Sequence, residues 1–388
     1  MVPSGWEETR LGKLAEKVTS GSRDWAKYYS DSGSKFIRMT NLARGGIYLN
    51  LDDLRFVDVQ SDSSDGKRTS LQYGDILISI TAELGKIGWV DASLGEAFIN
   101  QHTALVRIHP NKAFSKYLAY LLASHSMNHK INRLNDAGAK AGLNLSTIRS
   151  IPVLLPSLFE QKKIAQILST WDQAITTSEQ LLANSQQQKK ALMQQLLTGK
   201  KRLLDNNGVR FSGEWKHGHL SDLGKIAKGK ALSSKNIIDG DYPVIAGGKT
   251  SPYNHQDFTH ENVITVSASG AYAGYVAYHR YKFWASDCSV VSNNSGSDIG
   301  FIYQVMTYLQ TKIYSLQSGG AQPHVYPKDL DVLRVQIPAI EEQQKIATVL
   351  TAADQEIDTL KQKLTHLKQE KKALMQKLLT GKRRVKFD

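Results

Sequence analysis

The feature that most constrains this chain is a duplication. The stretch KKALMQQLLTG, Lys189 to Gly199, returns as KKALMQKLLTG, Lys371 to Gly381, at an offset of 182. Without a gap, the same offset aligns Pro156 with Pro338, Glu160-Gln161 with Glu342-Gln343, and Lys163-Ile164-Ala165 with Lys345-Ile346-Ala347. It also pairs Leu168 with Leu350, Asp172 with Asp354, Ile175 with Ile357, Leu182 with Leu364 and Arg202 with Arg384. Roughly half of the positions agree across about fifty residues, far above what a biased helical composition gives by chance. The chain is built twice.

The repeated stretch has the periodicity of a helix. Ile164, Leu168, Trp171, Ile175, Ser178, Leu182, Ser185, Lys189, Leu192 and Leu196 recur in steps of four and three, as in a coiled-coil seam. The second seam runs Ile346, Leu350, Ala353, Ile357, Leu360, Leu364, Leu367, Lys371, Leu374 and Leu378. Some forty residues at 1.5 Å each predict a rod of roughly 60 Å. Gly199 and Gly381 stand where a helix C-cap is expected, each followed by a basic tripeptide.

The remaining residues divide into two globular stretches, giving segments 1–153, 154–202, 203–335 and 336–388. In the first, Lys35–Met39, Asp75–Ile80, Lys86–Val90 and Ala104–Ile108 read as strands separated by Gly, Asn, Asp and Ser clusters, and Ser115–Leu134 as a helix. The second restarts similarly: Trp215, Leu220 and Leu223 repeat the spacing of Trp6, Leu11 and Leu14 at an offset of 209. Further in, Gly88-Trp89-Val90 answers Gly274-Tyr275-Val276 and Phe98 answers Trp284, both at 186, which predicts core positions for Trp89, Phe98, Tyr275 and Trp284. Gly138 and Gly320 share the helical offset. The scaffold repeats and the loops do not. The fold class expected is α/β or α+β: two globular domains alternating with two long helices that pair antiparallel, related by a pseudo-two-fold internal repeat.

Charge narrows the choice of partner. Lys plus Arg number 49 against 36 Asp plus Glu, a net +13, which favours a polyanion such as nucleic acid and is also compatible with a soluble basic protein. The single cysteine, Cys288, excludes an intramolecular disulfide and a cysteine-based zinc site, and reads as a packing residue in a reducing cytoplasm. MVPSGWEETR has no signal-peptide pattern, and no apolar run approaches a membrane span, so a soluble intracellular protein without a membrane partner is expected. Two similar domains on one rod suit a duplex with two half-sites, and because their loops differ the half-sites should differ.

The repeated E-Q-x-K-I-A, its heptad helix and the LLTGK[KR]R ending, alternating with two loop-variable domains, resemble the specificity (S) subunit of type I restriction-modification systems over essentially the whole chain. The resemblance implies two target-recognition domains, one per half of a bipartite asymmetric DNA sequence, with the helices as spacer. It implies double-stranded DNA, two methyltransferase (M) subunits and two restriction (R) subunits as partners in antiviral defence. The chain itself would be non-catalytic and bind no cofactor; S-adenosylmethionine would serve the M subunits and ATP with Mg the R subunits. A subunit of a different DNA-modification defence complex, or a scaffold that reads no sequence, remain as alternatives.

The residues agree about catalysis. Ala246-Gly247-Gly248-Lys249-Thr250 imitates a phosphate loop, but its leading glycine would fall at Pro243. No dinucleotide fingerprint and no Asn-Pro-Pro-Tyr sequence for base methylation occurs. Val266-Ser267-Ala268-Ser269-Gly270 lacks the first glycine of a nucleophile elbow. There is no HExxH, and His125 and His129 have no evident third ligand.

Base reading calls for Arg or Lys toward guanine and Asn or Gln toward adenine, presented on loops. In the first domain these are Arg23 and Lys27, then Arg38, Thr40, Asn41 and Arg44, then Lys140 and Asn144. In the second they are Lys249, Thr250, Tyr253 and Asn254, then Tyr272, Arg280 and Lys282, then Gln322 and His324. On the helices, the duplicated Lys189, Lys190 and Leu192, with Lys371, Lys372 and Leu374, should lie at opposite ends of the rod as candidate partner-docking sites.

Overall fold

A computed structural model describes residues 2–385 except 22, 24, 60–61, 135–141, 250 and 252. The chain forms two compact units, Met1–Thr177 with Leu364–Asp388 and Ser178–Lys363. Their boundaries cut through both long helices, Leu158–Leu196 and Ile340–Leu378, of 39 residues each. Each helix is about 58 Å long at 1.5 Å per residue. Each unit thus combines one globular domain, one half of its own helix and one half of the other.

The first unit holds a four-stranded antiparallel sheet in the order Ala15–Ser20, Thr103–Ile108, Ile76–Ser79, Ile87–Trp89. The central strand Ile-Leu-Ile-Ser is buried at every position, as a strand covered on both faces must be. A smaller sheet orders Tyr29–Ser30, Arg55–Val57, Ser34–Ile37 and Ala97–Ile99, the last pair parallel with Phe36 beside Phe98. Glu7–Arg10 closes on Pro152–Leu155 as a separate antiparallel pair. The helix expected over Ser115–Leu134 is two helices, Ser115–Ala123 and His125–Arg133. It breaks at Ser124, whose backbone is extended and whose hydroxyl donates to the Leu121 carbonyl at 2.6 Å, a bond that competes with helix continuation.

The second unit repeats the order of the main sheet, while its smaller sheet has three strands where the first unit's has four. Its main sheet orders Gly224–Lys228, Cys288–Asn293, Val263–Ser267 and Val276–His279; its parallel pair joins Tyr242–Ile245 to Trp284–Ala285. Lys216–His219 closes on Arg334–Ile337. The 209 offset survives at backbone level, since Glu7 faces Leu155 as Lys216 faces Ile337. The match of Phe98 to Trp284 also holds, because they face Phe36 and Val244 in the two parallel pairs. The match of Gly88 to Gly274 does not. Ser79 N–H bonds Lys86 O and Gly85 N–H bonds Ser79 O, whereas Ser267 N–H bonds Tyr275 O and Gly274 N–H bonds Ser267 O. Gly85 and Gly274 are therefore the equivalent turn residues, with φ of 74° and 87°, where a side chain would be strained. Trp89 then corresponds to Tyr278, and Tyr275 is half-buried rather than core.

In both units the long helices pack antiparallel. In the first, Lys371 pairs with Asp172 and Arg384 with Glu160. In the second, Lys189 pairs with Asp354 and Arg202 with Glu342 at 2.6 Å. Apolar seam positions point inward: Ile164 and Leu168 join Met375, Leu378 and Leu379 in the first core, while Leu196 and Leu197 join Ile346 and Leu350 in the second. The Glu-Gln of the repeat is structural. Glu160 and Glu342 are 1% exposed and each receives a two-pronged arginine. Gln161 accepts from Phe114 N–H at 2.8 Å and donates to Pro156 O; Gln343 accepts from Asp298 N–H at 3.0 Å and donates to Pro338 O. Gly199 and Gly381 cap the helices at φ of 68° and 69°, with Lys201 N–H returning to Gln195 O and Arg383 N–H to Lys377 O.

Candidate nucleic-acid interface

Strand register gives each main sheet two ends. In the first unit Ala15 pairs with Ile108 at one end, and the chain runs on to Phe114, which the long helix holds through Gln161. At the other end Ser20 pairs with Ala104 and Ser79 with Thr103, and loops 80–86 and 100–102 emerge. In the second unit Gly224 pairs with Asn293 at the helix end, which leads to Asp298 and Gln343. Lys228 pairs with Ser289 and Ser267 with Cys288 at the far end, beside loops 268–275 and 286–287. The duplicated residues hold the helix end, and the far end carries loops that differ between the units.

In the second unit the far end gathers several of the expected residues. Lys249 is exposed and lies 5.2 Å from the ring centres of both Tyr272 and Tyr275, a cation held over two aromatic faces. Tyr272 is 43% exposed, leaving ring area for a base to stack on. Ser269 bridges to His324, whose backbone also pairs with Ser318 and whose ring stacks on Tyr326 at 6.0 Å; Gln322 is exposed beside it. Tyr253 and Asn254, both exposed, line a 490 Å³ cleft with Ile237, Asp239 and Ser251. Arg280 and Lys282 are separated from this group. They follow His279, which pairs with Val263 at the opposite end of the hairpin, and they lie over Tyr278 at 5.1 Å and Phe258 at 4.7 Å.

In the first unit the expected residues divide more sharply. Arg44 is exposed and lies 3.5 Å from Asn128, and Thr40 and Arg23 are exposed. Lys27 lies 4.7 Å over the Tyr28 ring. Asn41 is 2% exposed: its Oδ1 accepts from Arg38 N–H, and its Nδ2 donates to Asn50 O and Asp53 O. That amide ties a turn and cannot meet a base, a correction to its expected role. Arg38 is likewise engaged, donating to the carboxylate and the carbonyl of Asp53 at 2.8 and 2.9 Å. Asn144 caps helix Leu145–Ser150 by accepting from Thr147 N–H at 2.8 Å. Lys140 and Thr250 lie outside the described residues.

On the helices, Lys189 and Lys371 are committed to Asp354 and Asp172, and Leu192 and Leu374 pack on the cores. Lys190 and Lys372 point to solvent. The first KKALMQ copy belongs to the second unit and the second copy to the first.

Sequence inspection missed one arrangement. Thr81 Oγ1 lies 2.8 Å from His102 Nδ1, and Gln101 Nε2 lies 3.1 Å from His102 Nε2. At the matching place in the second unit, Ser269 Oγ donates to Asp287 Oδ2. Equivalence rests on backbone pairing, for Thr81 bridges to Gly142 as Ser269 bridges to His324. No local motif marks these residues, and only the offsets carried through strand register find them.

The model of the family described as the type I restriction modification DNA specificity domain matches residues 3–184 and 212–369. The chain belongs to this family. A protein named as the MjaX type I restriction enzyme specificity subunit, from Methanocaldococcus jannaschii, is 27% identical over 416 residues, covering 99% of this chain and 95% of the relative. The EcoprrI specificity subunit of Escherichia coli is 27% identical over 160 residues, 40% of this chain and 38% of its own length. The crystal structure of the type I restriction-modification S subunit from M. genitalium aligns with a TM-score of 0.70 at 17% identity, over 97% of this chain and 96% of that one. A chain from a structure of type I complex assembly and conformational transition aligns at 0.55 and 16%, over 98% of each.

Burial pushes the Cys288 thiol up to about 12, so it packs rather than attacks. Among the described residues no group of three His, Cys, Asp or Glu is placed to hold a metal, and no helix is long and apolar enough to cross a membrane.

Proposed function

We propose that this chain is the DNA-reading subunit of a type I restriction-modification complex. Each unit reads one half of a split, asymmetric duplex target, and the 39-residue helices set the number of base pairs between the halves. One observation carries this reading: both units share main-sheet strand order and helix clamps, while the loops at the far end of each main sheet differ in residues and chemistry. A duplicated scaffold with unlike loops suits two unlike half-sites. The net charge of +13 supports a polyanionic partner.

The chain contributes recognition and assembly in the cytoplasm. Two M subunits methylate adenine with S-adenosylmethionine, and two R subunits cleave with ATP and Mg. The paired lysines and leucines near the helix ends, with Lys190 and Lys372 outermost, are the surfaces offered to the M subunits. Single-molecule sequencing of methylated adenines in cells expressing this chain with its M subunit tests the reading. A split motif with a fixed spacer is expected; a contiguous motif, or methylation without a motif, overturns it.

A further inference from the structure

Resting on that reading, we infer that the Thr81–His102 and Ser269–Asp287 pairs are the matched base-reading positions of the two units, and that they read opposite hydrogen-bond polarity. Both pairs stand at the far end of the main sheet, away from the helix clamps. Both are held firmly from below. Gly21 N–H bonds Asn100 O, and Gly229 N–H bonds Cys288 O, so the strand before each loop locks the reading loop in place. A Cβ on Gly21 would overlap the Asn100 backbone, and one on Gly229 would fall 2.5 Å from Ser286 O. Only glycine allows that approach, and the same device recurs in both units.

The polarity follows from the partners. In the first unit Gln101 Nε2 donates to His102 Nε2, which puts the ring hydrogen on Nδ1, and that N–H points to Thr81 Oγ1. The Thr81 hydroxyl then keeps its own hydrogen for an outside acceptor. In the second unit the Asp287 carboxylate only accepts, so it takes the Ser269 hydrogen and leaves exposed acceptor oxygens. The Thr81 hydrogen can be given to a major-groove acceptor, N7 or O6 of guanine, N7 of adenine or O4 of thymine, a donation that the second unit's pair does not offer. The edge that meets Asp287 must offer an exocyclic amine, from cytosine or adenine. One scaffold position is thereby tuned to unlike bases in the two half-sites.

The test uses the complex of this chain with its M subunits and maps methylated adenines by sequencing. Asp287→Asn keeps the shape and adds a donor. It should relax discrimination about tenfold at a single position of one half-site, a factor equivalent to about 1.4 kcal/mol. Thr81→Val should do the same at one position of the other half-site, with the spacer unchanged. If either variant stops methylating, binding of its complex to duplexes substituted at each base in turn decides: a flattened response at one position supports the assignment, and an unchanged response overturns it. Unaltered motifs in both variants, or changes in the same half-site, also overturn it. A contiguous motif in the unmodified complex would instead sink the underlying reading.

Discussion

The two units hold their helices with the same carboxylate and arginine, but the clamps are not equal. Glu342 accepts from Arg202 Nε and Nη2 at 2.6 Å and from Trp215 Nε1 at 3.0 Å. Among the described residues Glu160 accepts from Arg384 alone, at 2.8 Å, and Trp6 Nε1 is buried there without a partner. One step along the helix pair the contrast reverses. Asp172 is met by the Tyr120 hydroxyl at 2.6 Å, whereas Asp354 is met by Gln304, whose Oε1 is buried and unpaired among the described residues. The duplication preserved which backbone positions carry polar groups and let their hydrogen-bond completeness drift. The second unit is therefore the more tightly clamped at the helix end, and the first at the middle of the helix pair.

The largest consequence concerns the buried carboxylates. Glu342→Ala strands an arginine whose side chain is 21% exposed and removes the Trp215 acceptor. By the usual cost of breaking a buried pair it should destabilise the second unit by about 4 kcal/mol. Glu160→Ala leaves Arg384, 40% exposed, able to reach water, and should cost the first unit about 2 kcal/mol. Hydrogen exchange of the sheet amides, followed unit by unit, measures both. Equal losses, or a larger loss in the first unit, would break the comparison.

A smaller difference lies in the sheets. Leu77 and Val90 of the first unit are apolar core, while the matching positions of the second are Thr265 and His279. His279 is buried against Phe283, bonded to Thr265 and Tyr281, and burial holds its pKa down at about 4. Its contribution to stability is complete above the unfolded value near 6.5 and is lost as pH falls toward 4. Between those limits the second unit should lose about 3 kcal/mol relative to the first. The neighbouring His260, its pKa also lowered by burial, adds in the same direction. Exchange profiles collected at pH 7 and pH 4.5 test this, with the double change Thr265→Leu and His279→Val expected to flatten the response. Parallel acid sensitivity in both units would remove His279 as the cause.

Sequence revealed the elements whose chemistry is local. The seams and the C-cap glycines are written at short spacing, and the 209 and 182 offsets survive as backbone register at Lys216 and His324. The offset through Gly88 failed because Gly-Trp-Val and Gly-Tyr-Val look alike, whereas the turn needs its positive φ three residues earlier, at Gly85. The loops at the far ends of the main sheets were only partly legible. Lys249 and Tyr272 stand out as basic and aromatic residues, but Asn41 looks like a base reader and is consumed by its own turn. Thr81 and His102 are far apart in sequence and meet only because Ser79 pairs with Thr103. That partnership is set by sheet register and has no local signature.

The smallest expected effect isolates a single hydrogen bond. Trp6 and Trp215 occupy matching places, each beside its clamp arginine, at 5.9 and 5.5 Å from ring centre to guanidinium. Replacing either by Phe removes similar ring area and the N–H together. Only in Trp215→Phe does a formed bond to a charged acceptor disappear, whereas Trp6→Phe deletes a buried donor that already lacks a partner among the described residues. The lost packing is common to both, so the difference between the two destabilisations should be about 1 kcal/mol, with Trp215→Phe the more costly. Exchange rates in the closing strand pairs, Glu7–Arg10 with Pro152–Leu155 and Lys216–His219 with Arg334–Ile337, report it most directly. Equal losses would mean that Trp6 Nε1 is satisfied in solution by water, and that the two clamps are more alike than their protein partners make them.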